Sequence, residues 1–126
     1  MKKKSQTSLR EIKLLQKIKA IFFDYDGVVA DTMEDNYDAW RFAFGQRGVK
    51  IAKEEYFLLE GMSPAAIAES LGRKYGLHSE ALEQISEQKA QYYRQHNNFH
   101  LYPGVTEFTE FLKGKNLKLA LVTGAK

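Results

Sequence analysis

The pattern of hydrophobic and polar positions divides the chain into two short apolar strands and several amphipathic helices. Residues 20–23 and 119–122 are continuous apolar runs, typical of parallel strands that are buried on both faces. Elsewhere apolar residues recur every three or four positions, as they do on one face of a helix. The order of elements predicts an α/β fold in which helices are inserted between two parallel strands. The first predicted helix begins after Thr32. The other predicted helices cover residues 54–59, 64–76, 79–96 and 105–114.

Two local signals mark where helices start. Thr32, with Asp35 three residues later, is typical of a capping box. Ser63 before Pro64 predicts a helix start, because the N–H that proline lacks would be unpaired at the first helical position anyway. Trp40 and the tyrosines of these helices are expected in the core of the bundle rather than in contact with a ligand.

The first strand ends in polar residues that suit phosphate chemistry. Asp24 and Asp26 follow the apolar run, at the carboxyl end of the strand, where open α/β sheets place their ligands. Because residues two apart along a strand point the same way, the two carboxylates are expected to share one pocket. Gly27 then lets the backbone turn sharply.

A pair of carboxylates in this position favours nucleophilic phosphoryl transfer. Asp24 would attack phosphorus in its ionised form, and Asp26 would pass a proton to and from the oxygens involved. A phosphate dianion and a bare carboxylate repel each other, so a divalent cation is expected at the site. Magnesium prefers oxygen ligands and commonly bridges one or two carboxylates to a phosphate, which makes Mg²⁺ the predicted cofactor.

The first strand leads directly into the sequence Asp24-Tyr25-Asp26-Gly27-Val28-Val29-Ala30-Asp31-Thr32. This sequence resembles the first motif of the haloacid dehalogenase-like superfamily. Most members are magnesium-dependent phosphatases, so the resemblance implies a phosphoric monoester hydrolase that acts on a small phosphorylated metabolite through an aspartyl-phosphate. It also implies that Asp24 is the nucleophile and a metal ligand, and that Asp26 is the general acid/base whose backbone carbonyl also binds the metal.

The second strand leads into Thr123-Gly124-Ala125-Lys126. This ending resembles the second motif of the superfamily, in which a hydroxyl residue and the backbone amides that follow it hold a phosphate oxygen. The resemblance implies phosphate-binding roles for Thr123, Gly124 and Lys126, the last by its similarity to a lysine of β-phosphoglucomutase-type members. Upstream, Tyr102-Pro103-Gly104-Val105 matches the turn by which this subfamily re-enters its core.

The helical segment occupies the place of the helical cap of this subfamily, which closes over the site. Glu60-Gly61-Met62-Ser63-Pro64 resembles the β-phosphoglucomutase loop that faces the active site, which implies a substrate contact at Gly61. Pro64 replaces the arginine that would hold a second phosphate, and this favours a phosphatase over the alternative, a phosphosugar mutase. Lys89 matches a cap lysine and is a second candidate contact, although a lysine on a long charged helix is usually solvated.

The resemblance implies a division into three parts. These are a basic N-terminal extension (1–17), a partial Rossmann-like core (18–32 and 101–126) and a helical cap (33–100). The third and fourth motifs of the superfamily do not follow the second one, so the resemblance covers about the first half of a family member and we expect a truncated chain. Two strands with bare apolar edges predict self-association through the sheet. A catalytically silent fragment or interaction module is the alternative outside the enzymes.

Composition adds bounds on the class of protein. The 126 residues have 44% hydrophobic content and a net charge of +3, which fits one compact domain or a small core with an insertion. The absence of cysteine excludes disulfides and cysteine metal sites. No apolar run approaches the about 18 residues of a membrane span, and the lysine-rich start lacks the apolar stretch of a signal peptide. We therefore expect a cytoplasmic protein that binds a small phosphorylated metabolite, without nucleic-acid or membrane partners.

Overall fold

The structure is a computed structural model that describes residues 17–124. Within that range the chain forms two strands, β1 (Ala20–Asp24) and β2 (Lys118–Val122), separated by helices. The predicted mixed α/β fold with a helical insertion is confirmed. The N-terminal extension up to residue 16 and the predicted phosphate ligand Lys126 lie outside the described residues. The helices are α1 (Met33–Gly45), α2 (Lys53–Phe57), α3 (Pro64–Lys74), α4 (Ser79–His96) and α5 (Val105–Gly114).

The two strands pair in parallel, with Ala20 opposite Lys118 and Asp24 opposite Val122. This register brings the carboxyl ends of both strands to one edge of the sheet. Helix α5 packs against β2, and the Phe108 ring meets the Phe23 ring edge-on with centroids 6.4 Å apart. The parallel pairing therefore places the residues that follow β1 and β2 side by side.

The expectation that the strands are buried on both faces is wrong for the described part of the chain. Exposure alternates along β1, and the side chain of Phe22 is 70% exposed. Leu121 and Val122 of β2 are more than half exposed. Within residues 17–124 the sheet has two strands and α5 as its flanking helix, so a single face of β1 is partly covered. The continuous apolar run correctly indicated a strand but not the burial of its faces.

Helices α1 to α4 form a bundle with its own hydrophobic core, in which α4 packs against both α1 and α3. Trp40 and Tyr56 are almost completely buried in this core, as expected, but both also line the cavity described below, and Tyr92 and Tyr93 are only partly buried. The helices α3 and α4 approach closely at Gly72, where an added Cβ would lie 2.2 Å from Leu82 Cδ2. None of the helices in the described range is long and apolar enough to cross a membrane. The buried core residues are Trp40, Ala43, Phe44, Ile51, Tyr56, Ile67, Ala68, Leu71 and Ile85.

Helix α3 begins and ends as the sequence predicts. The Ser63 hydroxyl accepts a hydrogen bond from the Ala66 N–H at 3.3 Å, and Pro64 occupies the first helical turn. At the other end Gly76 has a φ of 69°, and the Leu77 N–H donates to the Gly72 carbonyl at 2.9 Å, as in a Schellman motif. These caps fix where the chain turns towards α4.

The two segments that connect the sheet to the bundle pair with each other. The Asp31 N–H donates to the His100 carbonyl at 3.0 Å, and the Tyr102 N–H donates to the Val29 carbonyl at 3.1 Å. The Asp31 carboxylate also lies 3.3 Å from His100 Nε2 and accepts a hydrogen bond from the Tyr102 hydroxyl at 3.2 Å. Gly104 (φ 87°) then starts α5, as the predicted re-entry turn requires. This paired junction holds the bundle beside the carboxyl edge of the sheet.

Candidate active site

A cavity of about 290 Å³ lies between the carboxyl edge of the sheet and the helical bundle. Both elements contribute to its lining, and six of the seven residues predicted from the sequence are brought together there. The seventh, Lys126, lies outside the described residues, so its role stays a prediction. The six are Asp24, Asp26, Gly61, Lys89, Thr123 and Gly124.

The turn after β1 presents the first carboxylate at the mouth of the cavity. Asp24 is the last residue of β1, and its Oδ1 accepts a hydrogen bond from the Tyr25 N–H at 2.7 Å. The Tyr25 carbonyl accepts hydrogen bonds from the Val29 and Ala30 N–H groups at 3.0 Å, which closes the turn. Gly27 has a φ of 72°, a left-handed conformation that glycine adopts without steric cost. The backbone therefore leaves the strand sharply, and the Asp24 side chain stays at the edge.

The second carboxylate, Asp26, is held by two side chains of the bundle side. Its Oδ1 accepts a hydrogen bond of 2.6 Å from the buried Thr32 hydroxyl and a longer one of 3.5 Å from Asn36 Nδ2. The predicted capping box at Thr32 is wrong, because its side chain makes no capping hydrogen bond to α1. The Thr32 hydroxyl donates to a carboxylate instead, and hydrogen bonds to an ionised acceptor are among the stronger ones in proteins. Asn36 lies one helical turn after Thr32 on the same face, a spacing that the sequence already contained.

Lys89 reaches the cavity from α4. Its Nζ donates to Asn36 Oδ1 at 2.5 Å and lies over the rings of Tyr93 and Trp40, 4.9 and 5.5 Å from their centroids. Burial lowers the pKa of Lys89, and the nearby carboxylates of Glu60 and Asp26 oppose this shift. The alternative of a solvated lysine is therefore wrong, because the packing of α1 on α4 encloses this face of the helix.

Tyr56 and Glu60 line the bundle side of the cavity, and Tyr93 lies beside Lys89. Burial, with a smaller contribution from Asp26, raises the pKa of Tyr93 to about 12. Burial also raises the pKa of Tyr56, and its hydrogen bonding to Glu60 is the second cause. Both hydroxyls therefore keep their protons near neutral pH. Sequence reasoning named Glu60 only as the neighbour of Gly61, although Glu60 is one of the residues that line the cavity.

The oxygens at the sheet edge have the chemistry that magnesium prefers. Asp24 offers a carboxylate and Asp26 a backbone carbonyl, and Mg²⁺ commonly takes one or two carboxylates together with waters and a substrate phosphate. No group of three or more His, Cys, Asp or Glu side chains in residues 17–124 is placed to hold a metal ion on its own. The donor set therefore fits an ion that shares its ligands with water and phosphate.

The fold and the cavity define a class of α/β proteins that carry paired aspartates at the carboxyl edge of a parallel sheet, beside an inserted helical bundle. The model of the haloacid dehalogenase-like hydrolase family matches residues 18–126. The chain belongs to this family, as its first motif indicated. No curated protein matches the sequence.

Several solved structures share the fold of this chain. A hydrolase from Pseudomonas syringae is 31% identical with a TM-score of 0.75, and the match covers 86% of this chain and 51% of that one. β-Phosphoglucomutase from Clostridium difficile is 30% identical with a TM-score of 0.67, over 82% of this chain and 50% of that one. A predicted phosphoglycolate phosphatase from Haemophilus somnus 129PT is 23% identical with a TM-score of 0.70, over 84% and 51%. The chain thus spans about half the length of these structures.

Proposed function

We propose that the protein is a magnesium-dependent phosphatase that hydrolyses a small phosphorylated metabolite through an aspartyl-phosphate intermediate. The observation that carries the proposal is that Asp24 and Asp26 from the end of β1 and Thr123 and Gly124 from the end of β2 line one cavity. A volume of about 290 Å³ suits a small molecule. The bundle of α1 to α4 serves as the cap in this proposal, because it closes the side of the cavity away from the sheet.

In the first step an oxygen of the Asp24 carboxylate attacks phosphorus, and the bond between phosphorus and the leaving-group oxygen breaks. Asp26 gives its proton to that oxygen, so the alcohol leaves neutral. In the second step Asp26 takes a proton from water as the water oxygen attacks phosphorus. The bond from phosphorus to Asp24 then breaks, which releases phosphate and restores both aspartates.

The Thr32 and Asn36 contacts explain how Asp26 keeps its orientation for both steps. They occupy Oδ1 of this carboxyl group, so Oδ2 is the oxygen assigned to carry the proton. Thr123 and the amide of Gly124 are assigned to the phosphate oxygens at the end of β2. A magnesium ion held by the Asp24 carboxylate and the Asp26 backbone carbonyl would lower the repulsion between the phosphate and the nucleophile.

The second candidate is a phosphosugar mutase, which the 30% identity to β-phosphoglucomutase favours. A mutase must hold the phosphates of a bisphosphate intermediate. Lys89 is the one basic side chain among the described residues that line the cavity, and Asn36 already engages it. One lysine that is already engaged leaves little positive charge to hold a second phosphate, and this supports hydrolysis over phosphate transfer between two positions of a sugar.

The test is magnesium-dependent phosphate release by the purified chain, measured together with chromatography that detects sugar-phosphate isomers. We expect Asp24→Asn to lower kcat by about a thousandfold or more, because it removes the nucleophile. Asp38→Asn makes the same change on the exposed side of α1 and should leave kcat unchanged. Isomer formation without free phosphate would favour the mutase. A folded protein that releases no phosphate and forms no isomer would contradict the enzymatic proposal and favour a catalytically silent module.

A further inference from the structure

Glu60 places a second acidic group in the cavity, on the side formed by the bundle. It follows the end of α2 and precedes Gly61, whose φ of 88° turns the chain towards α3. Asp24 and Asp26 come from the opposite element, the sheet. A phosphate that is bound by the sheet residues therefore leaves the rest of the substrate next to Glu60.

The Glu60 carboxylate is incompletely paired. Its Oε2 is buried and has no hydrogen-bond partner among residues 17–124. The neighbouring Tyr56 hydroxyl, whose pKa is raised by burial and then by Glu60, has one O–H and can serve only one oxygen of this carboxylate. A buried acceptor without a partner costs about 1–3 kcal/mol, so a donor that reaches it gains more than one at the surface.

The lysine of the cavity does not satisfy this acceptor. Lys89 Nζ donates to Asn36 Oδ1 and forms no ion pair with Glu60 in the described structure. The opposite charges of Lys89 and Glu60 interact electrostatically without direct contact and sum to about zero. The bundle side therefore carries no excess positive charge that could bind a second anion. A carboxylate or phosphate on the leaving group would face Glu60 and be repelled.

We infer that Glu60 selects the leaving group: the site takes phosphomonoesters whose alcohol carries a hydroxyl or ammonium hydrogen-bond donor and disfavours those that carry a second acid. This inference rests on the proposed phosphatase function for its orientation of the substrate. It also predicts that an acidic metabolite such as phosphoglycolate is not the preferred substrate of this chain. In this inference Glu60 determines substrate specificity, and Asp24 and Asp26 carry out the bond-breaking steps.

The experiment compares four phosphomonoesters of similar size: 2-hydroxyethyl, 2-aminoethyl, propyl and carboxymethyl phosphate. Binding is measured by calorimetry with Mg²⁺ on the Asp24→Asn background, so the readout does not depend on turnover. We expect the hydroxyethyl or aminoethyl ester to bind at least about tenfold more tightly than the propyl ester, and the carboxymethyl ester most weakly. Where the chain turns over, kcat/KM in the Asp24 protein should follow the same order.

Variants at Glu60 distinguish the two donors. Glu60→Gln keeps an acceptor oxygen without the charge, so a preference for the hydroxyl should survive and one for the ammonium group should be lost. Glu60→Lys should move the carboxymethyl ester to the top of the ranking. Glu54→Lys, which makes the same charge change at an exposed position of α2 outside the cavity, should leave the ranking as in the parent protein.

Thermal unfolding of each variant shows whether the bundle remains intact, and Glu60→Gln is the nearly isosteric variant that keeps the test usable if Glu60→Lys unfolds. Equal binding of all four esters, a preference for the carboxymethyl ester in the parent protein, or no binding of any ester would overturn the inference. Tight and donor-selective binding without phosphate release would instead preserve the role of Glu60 and count against the phosphatase.

Discussion

At the scale of single residues, the Thr32 hydroxyl donates the shorter of the two side-chain hydrogen bonds to Asp26 Oδ1, at 2.6 Å. Thr32→Val keeps the shape of the buried side chain and removes this donor. We expect kcat to fall by about 10- to 100-fold with little change in KM, because the Asp26 carboxyl group then rotates away from the productive orientation. Phosphate release under saturating Mg²⁺ gives both parameters.

Thr32→Ser supplies the rescue, since it restores the hydroxyl and should return most of kcat. The loss of a hydrogen bond to a charged group also lowers the free energy of unfolding by about 1.5–3 kcal/mol, which urea denaturation measures separately. A variant whose stability falls while kcat is unchanged would show that Thr32 supports the fold alone. In that case Thr32 does not position Asp26.

The sequence was sufficient to group Asp24, Asp26, Thr123 and Gly124, because parallel strands bring their carboxyl ends to one edge. It could not show that the Thr32 hydroxyl turns to Asp26 instead of capping α1. That choice depends on where the turn after β1 places the carboxylate. The burial of Lys89 likewise depends on the packing of α1 against α4, which no local pattern encodes.

At the scale of elements, Glu55 joins α2 to α3. Its carboxylate accepts hydrogen bonds from the Ala52 N–H at 2.5 Å and the Tyr75 hydroxyl at 2.9 Å, and it forms an ion pair with Lys74. The hydrogen bond from Lys74, followed by those from Ala52 and Tyr75, lowers the pKa of Glu55 from 4.5 to about 2. The ionised form is therefore favoured in the folded state.

This lowered pKa predicts a pH-dependent loss of stability. The contribution of Glu55 is complete above pH 4.5, where the unfolded state is also ionised, and is lost as the pH falls towards 2. Glu55→Gln should lower the free energy of unfolding at pH 7 by about 1–2 kcal/mol, a figure reduced for the exposure of Lys74 to solvent. Urea denaturation of both proteins between pH 7 and pH 2 measures the difference.

The difference between Glu55→Gln and the parent protein should shrink between pH 4.5 and 2, whereas Glu54→Gln, on the exposed side of α2, should behave like the parent throughout. A difference that stays constant down to pH 2 would show that the ion pair and the hydrogen bonds do not depend on the charge of Glu55. The contact between α2 and α3 would then be stabilised by packing and not by the charge of Glu55.

Helix positions were predicted well because their signals are local. Apolar spacing placed α1, α3 and α4, and Pro64 and Gly76 marked the ends of α3. The burial of β1 was predicted wrongly, because it depends on which elements cover the two faces of the sheet. An apolar run carries no information about those neighbours.

At the scale of the whole molecule, the hydrophobic surface is distributed unevenly. The bundle closes its own core around Trp40 and Phe44. The sheet and α5 instead present a set of large apolar side chains that are each more than half exposed. These residues, which we call the sheet patch, are Phe22, Phe108, Phe111, Leu121 and Val122.

We predict that chain 1–126 associates with itself through the sheet patch, because large exposed apolar side chains next to a strand edge that is unpaired in the described residues favour contact with another chain. Light scattering coupled to size-exclusion chromatography should show a mass that rises with concentration from about 1 to 100 µM. Phe22→Lys places a charge on the patch and should shift the protein towards the monomer. Leu58→Lys is the matched control, because Leu58 is 86% exposed in the segment between α2 and α3 and lies outside the patch. A monomer at every concentration, or an equal effect of both substitutions, would contradict self-association through the sheet patch.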